Sequence, residues 1–156
     1  LPEGRRAAKA PTFRKTDFVY DGETLLVPIA PGVSAATVRV TYSATPRRGL
    51  YFIAPDEHVP TRPRQVWSQF QDEDARFVFP CHDKPHVKQT TEVRVKAPPG
   101  FYVLSNGQLP SSQKDQKAGI FHWKMSEPHP SYLLTLVVGL IWLPSKATEA
   151  DGQVRE

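Results

Sequence analysis

The sequence predicts an all-β domain, and three observations carry that prediction. Sixteen prolines and nine glycines interrupt a 156-residue chain that holds a single methionine, so long helices have little room between breaks. Several short segments alternate apolar and polar side chains, the pattern of a strand with one solvated face. The segments are separated by turn-forming runs such as Pro31-Gly32, Pro98-Pro99-Gly100 and Asn106-Gly107. The length suits one domain with a core of its own.

Residues 1–15 read as an irregular basic arm, in which Arg5, Arg6, Lys9, Arg14 and Lys15 stand against Glu3 alone. Behind it, TLLVPIA at 24–30 is a short apolar strand candidate, and ATVRVTYS at 36–43 puts Val38, Val40 and Tyr42 on one face and Arg39 and Thr41 on the other. GLYFIA at 49–54 predicts a third strand, and the three prolines of residues 55–64 predict a surface loop. QVWSQF at 65–70 and ARFVF at 75–79 continue the series. TTEVRVKA at 90–97 turns Val93 and Val95 inward and Glu92, Arg94 and Lys96 outward.

FYVLSN at 101–106 ends at Asn106-Gly107, a pair suited to a two-residue hairpin because both residues tolerate positive φ. Residues 111–119 are expected to form another hairpin tip. GIFHWKM at 119–125 sets Phe121, Trp123 and Met125 against Ile120, His122 and Lys124. YLLTLVVGLIWL at 132–143 is apolar throughout, and its β-branched and aromatic content favours a strand buried on both faces. The domain is thus expected over residues 16–145, with a polar tail at 146–156.

The formal charge of +4 lies in the basic arm, and residues 16–156 balance at 15 basic and 15 acidic side chains. A neutral body without aromatics interleaved in its basic stretch argues against nucleic acid as a partner. The longest apolar run, 133–143, carries Thr135 and Gly139 and falls short of the roughly 18 residues of a membrane span. Cys81, the single cysteine, excludes an internal disulfide and is compatible with a reducing compartment, so the cytoplasm is the expected address.

Several constellations could carry chemistry. Cys81, His82, Asp83 and His86 offer four metal-ligand types in six residues, but Pro80 and Pro85 disfavour the helix that would bring both histidines to one face. The structural reading is preferred, with Cys81 packed as a small apolar group and Asp83 accepting backbone N–H groups in the turn. As a nucleophile Cys81 would need a base, and His82, its extended neighbour, points to the opposite face. Asp72, Glu73 and Asp74 lack the twelve-position spacing of a calcium loop and read as an exposed acidic turn. No metal ligands and no catalytic residues are therefore expected in this chain. Trp67, Trp123 and Trp142 could serve a carbohydrate-binding sandwich, although core packing explains them better. Gln69 and Gln71 are two apart, so on a strand their amides would share a side and could meet a peptide terminus.

Six segments in order, GLYF at 49–52, WSQFQDEDAR at 67–76, FPCHDKP at 79–85, TTEVRV at 90–95 after Lys88, LSNGQL at 104–109 and SYLLTLVVG at 131–139, resemble the amino-terminal domain of the M1 zinc aminopeptidases, the family of aminopeptidase N and leukotriene A4 hydrolase. The resemblance runs from about Asp21 to Trp142. It implies a twisted, saddle-like antiparallel β domain, sandwich-like in section, that packs beside a catalytic domain and closes part of the active-site cleft. It implies a zinc cofactor held by a His-Glu-x-x-His helix and a distant glutamate, and neither that motif nor the family's Gly-x-Met-x-Asn strand occurs in these 156 residues. The expected partners are that catalytic domain and a peptide substrate.

By the same resemblance, Gln69 and Gln71 are the substrate-binding candidates, at the end of the cleft that receives the substrate amino terminus. Many members carry glutamate at the position of Gln71, whereas this chain has an amide, as in the leukotriene A4 hydrolase branch. An amide accepts a hydrogen bond from an ammonium group without the charge-assisted part. Family members begin with further strands, so the chain reads as a truncated domain and a fragment of a metallopeptidase, not catalytic alone. The alternative is a non-catalytic scaffolding or interaction module of M1 type. A His-Glu-x-x-His in the downstream parent sequence separates the two.

Overall fold

A computed structural model describes residues 12–140. The chain divides into two compact units, residues 1–43 and residues 44–156. In the first, strand β1 (Val19–Tyr20) pairs antiparallel with β2 (Leu25–Leu26), Val19 opposite Leu26. Asp21 makes the turn between them, because its Oδ1 accepts the N–H groups of Glu23 at 2.8 Å and Thr24 at 2.7 Å. Those two bonds draw its carboxyl below the usual carboxylate range.

The strand expected over 36–43 does not form. Val38, Val40 and Tyr42 are 49%, 39% and 52% exposed, so the apolar face that alternation assigned to a core is not buried. Alternation describes one face of a sheet, and a strand forms from it only where other strands pair with it.

The second unit holds β3 (Leu50–Ile53), β4 (Gln65–Ser68), β5 (Lys88–Lys96), β6 (Tyr102–Ser105), a one-turn helix α1 (Gln113–Lys117), β7 (Ile120–Pro130) and β8 (Leu136–Gly139). Four strands form an antiparallel sheet in the order β3-β4-β8-β6. The others form a long antiparallel ribbon in which Val93 faces Trp123 and Val95 faces Phe121. Strand β5 alternates exposed and half-buried side chains along all nine residues, with Val93 and Val95 on the covered face. The apolar run expected as one strand buried on both faces is a strand only at β8, which lies half-buried between β4 and β6; Ser131–Leu133 is a turn of 3-10 helix, and Leu133 and Leu140 are 48% and 64% exposed. The end of that run, 141–143, lies outside the described residues, as do Trp142, the tail at 146–156 and most of the basic arm.

Ribbon and sheet close on one core. Ala97, Val103 and Phe121 are buried at its centre, with Val95, Tyr102, Trp123, Leu136 and Val138 packed around them. The indole N–H of Trp123 donates to the Val103 carbonyl at 3.0 Å and ties the two layers together. The fold is all-β, as the sequence predicts, with antiparallel layers in a sandwich-like arrangement.

Three local expectations are corrected. ARFVF is a single turn of 3-10 helix at Ala75–Phe77 rather than a strand, because the N–H groups of Val78 and Phe79 both donate back to the Ala75 carbonyl. The tip at 111–119 contains α1, capped by a reciprocal pair in which the Ser112 hydroxyl accepts the Asp115 N–H and the Asp115 carboxylate accepts the Ser112 N–H. Asn106-Gly107 is not a two-residue hairpin. Asn106 bridges to the start of β8 instead, donating to the Leu133 carbonyl at 3.1 Å and accepting the Thr135 N–H at 2.6 Å.

Candidate functional site

Strand β4 leads into a tight turn at residues 71–74. The residue before the turn, Phe70, is 2% exposed and the residue after it, Ala75, is fully buried. Phe70 meets Phe79 edge-on at 5.8 Å between ring centres. With both ends sunk in this small apolar cluster, the turn must project, and Gln71 and Asp72 are exposed. An open hollow of about 570 Å3 lies over it, walled by residues 71–74, Arg76, Phe77 and Arg48, which precedes β3.

Gln71 lines this hollow, and Gln69 is exposed but is not among the wall residues. The strand on which the two amides were expected to share a side ends at Ser68, so period-2 reasoning does not reach Gln71. Gln69 is fixed by its backbone, whose N–H donates to the Gly49 carbonyl at 2.8 Å.

Charged groups brace the turn from below. Glu73 accepts both Arg76 and Lys84, the latter at 3.0 Å to each carboxylate oxygen. Lys84 first, and then Arg76, hold the Glu73 carboxyl below its ordinary range. Arg48 pairs with Asp74 at 2.9 Å and lies over the Phe77 ring at 5.0 Å. Asp83 is buried and accepts the Arg76 backbone N–H at 3.0 Å, the Arg76 Nε–H at 3.4 Å and the Ser131 hydroxyl. Sequence reasoning missed Arg48, Glu73, Arg76 and Lys84 as a set. The spacing of Glu73 and Arg76, three apart, was its legible part.

In the Cys-His-Asp segment, Cys81 is half-buried and Asp83 is buried. Asp83 satisfies backbone and side-chain donors, His82 and His86 are exposed, and among the described residues no three His, Cys, Asp or Glu side chains converge to hold a metal ion. Burial, reinforced by the Asp83 charge, pushes the Cys81 thiol up to about 11 from an ordinary value of 9.0. Two pH units leave its thiolate fraction near neutrality about 100-fold smaller than that of an ordinary thiol. Iodoacetamide should therefore alkylate Cys81 slowly, with a rate that is half-maximal near pH 11. A half-maximal rate near pH 9, the ordinary value, would contradict the burial.

Of the two described tryptophans, only one takes the core position expected. Trp67 stacks on Tyr51 at 4.7 Å and Trp123 belongs to the core.

Fold and site together define a class, an all-β domain that projects a polar, charge-braced turn beyond the end of an interior strand of its sheet. The particular family is that of the Peptidase M1 N-terminal domain: its model matches residues 4–133, and the chain belongs to it. Aminopeptidase RNPEPL1 of Homo sapiens is 32% identical over 130 residues, covering 81% of this chain and 18% of that protein. Aminopeptidase B of Mus musculus is 29% identical over 142 residues, covering 88% of this chain and 21% of that protein. Among solved structures, yeast LTA4 hydrolase in complex with bestatin matches with a TM-score of 0.58 at 20% identity, over 80% of this chain and 20% of that one. The last likeness shows the fold. The chain spans about a fifth of the length of the relatives it matches. No helix among the described residues is long and apolar enough to cross a membrane.

Proposed function

We propose that this chain supplies the β wall at the amino-terminal end of the substrate cleft in a zinc aminopeptidase of the M1 family, and that Gln71 meets the substrate's free amino group. The observation that carries the reading is the exposed Gln71 side chain in the wall of an open hollow, on a turn whose two ends are buried. The family membership and the aminopeptidase relatives support it. The domain spans residues 16–145, between the basic arm and the polar tail, and its partners are the catalytic domain of the parent protein and a peptide. Zinc belongs to that catalytic domain, where it supplies an activated water. The described residues of this chain bring together no ligand set for it.

The role of Gln71 is binding and orientation. Its amide oxygen accepts one N–H of the substrate ammonium group, a neutral acceptor where many relatives place a carboxylate, so this contact is weaker than a charge-assisted one. Gln69 contributes second, from outside the hollow. In the full-length protein, Gln71→Glu should lower KM for aminoacyl substrates and Gln71→Ala should raise it, each by about three- to tenfold, the kinetic equivalent of one hydrogen bond. Gln69→Ala should move KM less. An unchanged KM in both Gln71 variants removes the assignment. A full-length protein that hydrolyses no aminoacyl substrate leaves the scaffolding alternative in its place.

A further inference from the structure

We infer that Asp83, acting through Arg76 and Glu73, is the positioning group that holds the Gln71 turn in register with the cleft, an inference that rests on the amine-binding reading of Gln71. Its side chain is 2% exposed, and three donors from two distant parts of the chain converge on it. Arg76 gives its backbone N–H and its Nε–H, and Ser131, buried at the end of β7, gives its hydroxyl. One carboxylate thus joins the segment leaving the turn to the connection between β7 and β8.

Arg76 carries the constraint onward. Its guanidinium donates to Glu73 within the turn and, at 3.1 Å, to the Asp83 backbone carbonyl. Lys84, the residue after Asp83, closes the circuit on Glu73 at 3.0 Å. Glu73 is therefore gripped by two cations that both belong to the Asp83 assembly. On its other side the turn is fixed by Phe70, whose carbonyl accepts the Asp74 N–H at 2.9 Å. Gln71 lies between these anchors with an exposed side chain, so its position follows theirs. A buried carboxylate with this many donors does more than fill space, since an apolar residue would pack there without needing partners.

A residue that only supported stability would change the folded fraction and leave the folded protein's KM alone. A positioning residue shifts KM through Gln71. The test uses full-length protein carrying Asp83→Asn and, as a milder break in the same circuit, Glu73→Gln, each with Gln71 intact and with Gln71→Ala. Hydrogen exchange confirms that β5 and β7 stay protected and reads opening at residues 70–78. The expected result is faster exchange confined to 70–78 and a KM for aminoacyl substrates raised about tenfold, with kcat nearly kept, in the Gln71 background only. If Gln71→Ala raises KM but neither clamp variant does, the positioning role is overturned and the amine-binding reading stands. If the clamp variants raise KM equally with and without Gln71, the clamp acts elsewhere and the inference is likewise overturned. If Gln71→Ala itself has no effect, the amine-binding reading fails and the inference falls with it.

Discussion

Phe121→Ala is expected to destabilise the domain by about 3–5 kcal/mol, the range for removing a fully buried ring. Phe121 is 1% exposed, packs edge-on against Tyr102 at 4.9 Å between ring centres, and lies opposite Val95 across the ribbon. Its neighbours belong to both layers, so they cannot collapse into the cavity without moving one layer on the other. Ile120 is the internal control. One residue away on the other face of the strand and 43% exposed, it should cost roughly 0.5–1 kcal/mol on truncation. Hydrogen exchange of the β5 and β7 amides in the full-length protein reads both. Equal effects at Phe121 and Ile120 would contradict the placement of the core.

That contrast was legible in the sequence, because period 2 along GIFHWKM assigns Phe121, Trp123 and Met125 to one face and the structure covers that face. The same reading succeeds for β5, where Thr91 to Lys96 each have a partner across the ribbon. It fails at 36–43, where the alternation is as regular but its apolar face is left exposed. The difference lies in the partners, which a local pattern does not contain. ARFVF fails for another reason. Its aromatic content suggests a strand, yet Ala75 is buried and hydrogen-bonded as a turn, and Phe77 and Phe79 serve different contacts. At α1 the signal was present and passed over, since Ser112 and Asp115 are spaced as a capping pair.

The candidate site was half legible. Gln71 is a candidate through the family resemblance, and it lies in the wall of a hollow. The bracing around it was hidden, because Glu73, Lys84, Asp83 and Ser131 are brought together by contacts spanning up to 48 residues. An acidic turn beside a Cys-His-Asp segment therefore reads as two features in sequence and is one assembly in space.

Gly49→Ala should have the second large effect, and it acts on that same assembly. Gly49 has φ of +80°, and a Cβ there would lie 2.5 Å from the Asp74 carbonyl oxygen and 3.2 Å from both Phe70 Cδ1 and Val78 Cγ2. The left-handed backbone alone costs about 1–3 kcal/mol for a residue with a Cβ, and overpacking adds about 1–3 kcal/mol more. The carbonyl is the group that must yield, because Gly49 is itself held by the N–H of Gln69 and cannot retreat freely. Moving Asp74 moves the far end of the turn that presents Gln71. The substitution should therefore lower stability and, where Gln71 meets the substrate amine as proposed, also raise KM for aminoacyl substrates in the folded fraction without a matching fall in kcat. Thermal denaturation and steady-state kinetics of the full-length variant measure the two effects separately. A variant as stable as the parent would mean that the glycine is not pressed against the turn, and a destabilised variant with unchanged KM would mean that the turn's position does not govern substrate binding.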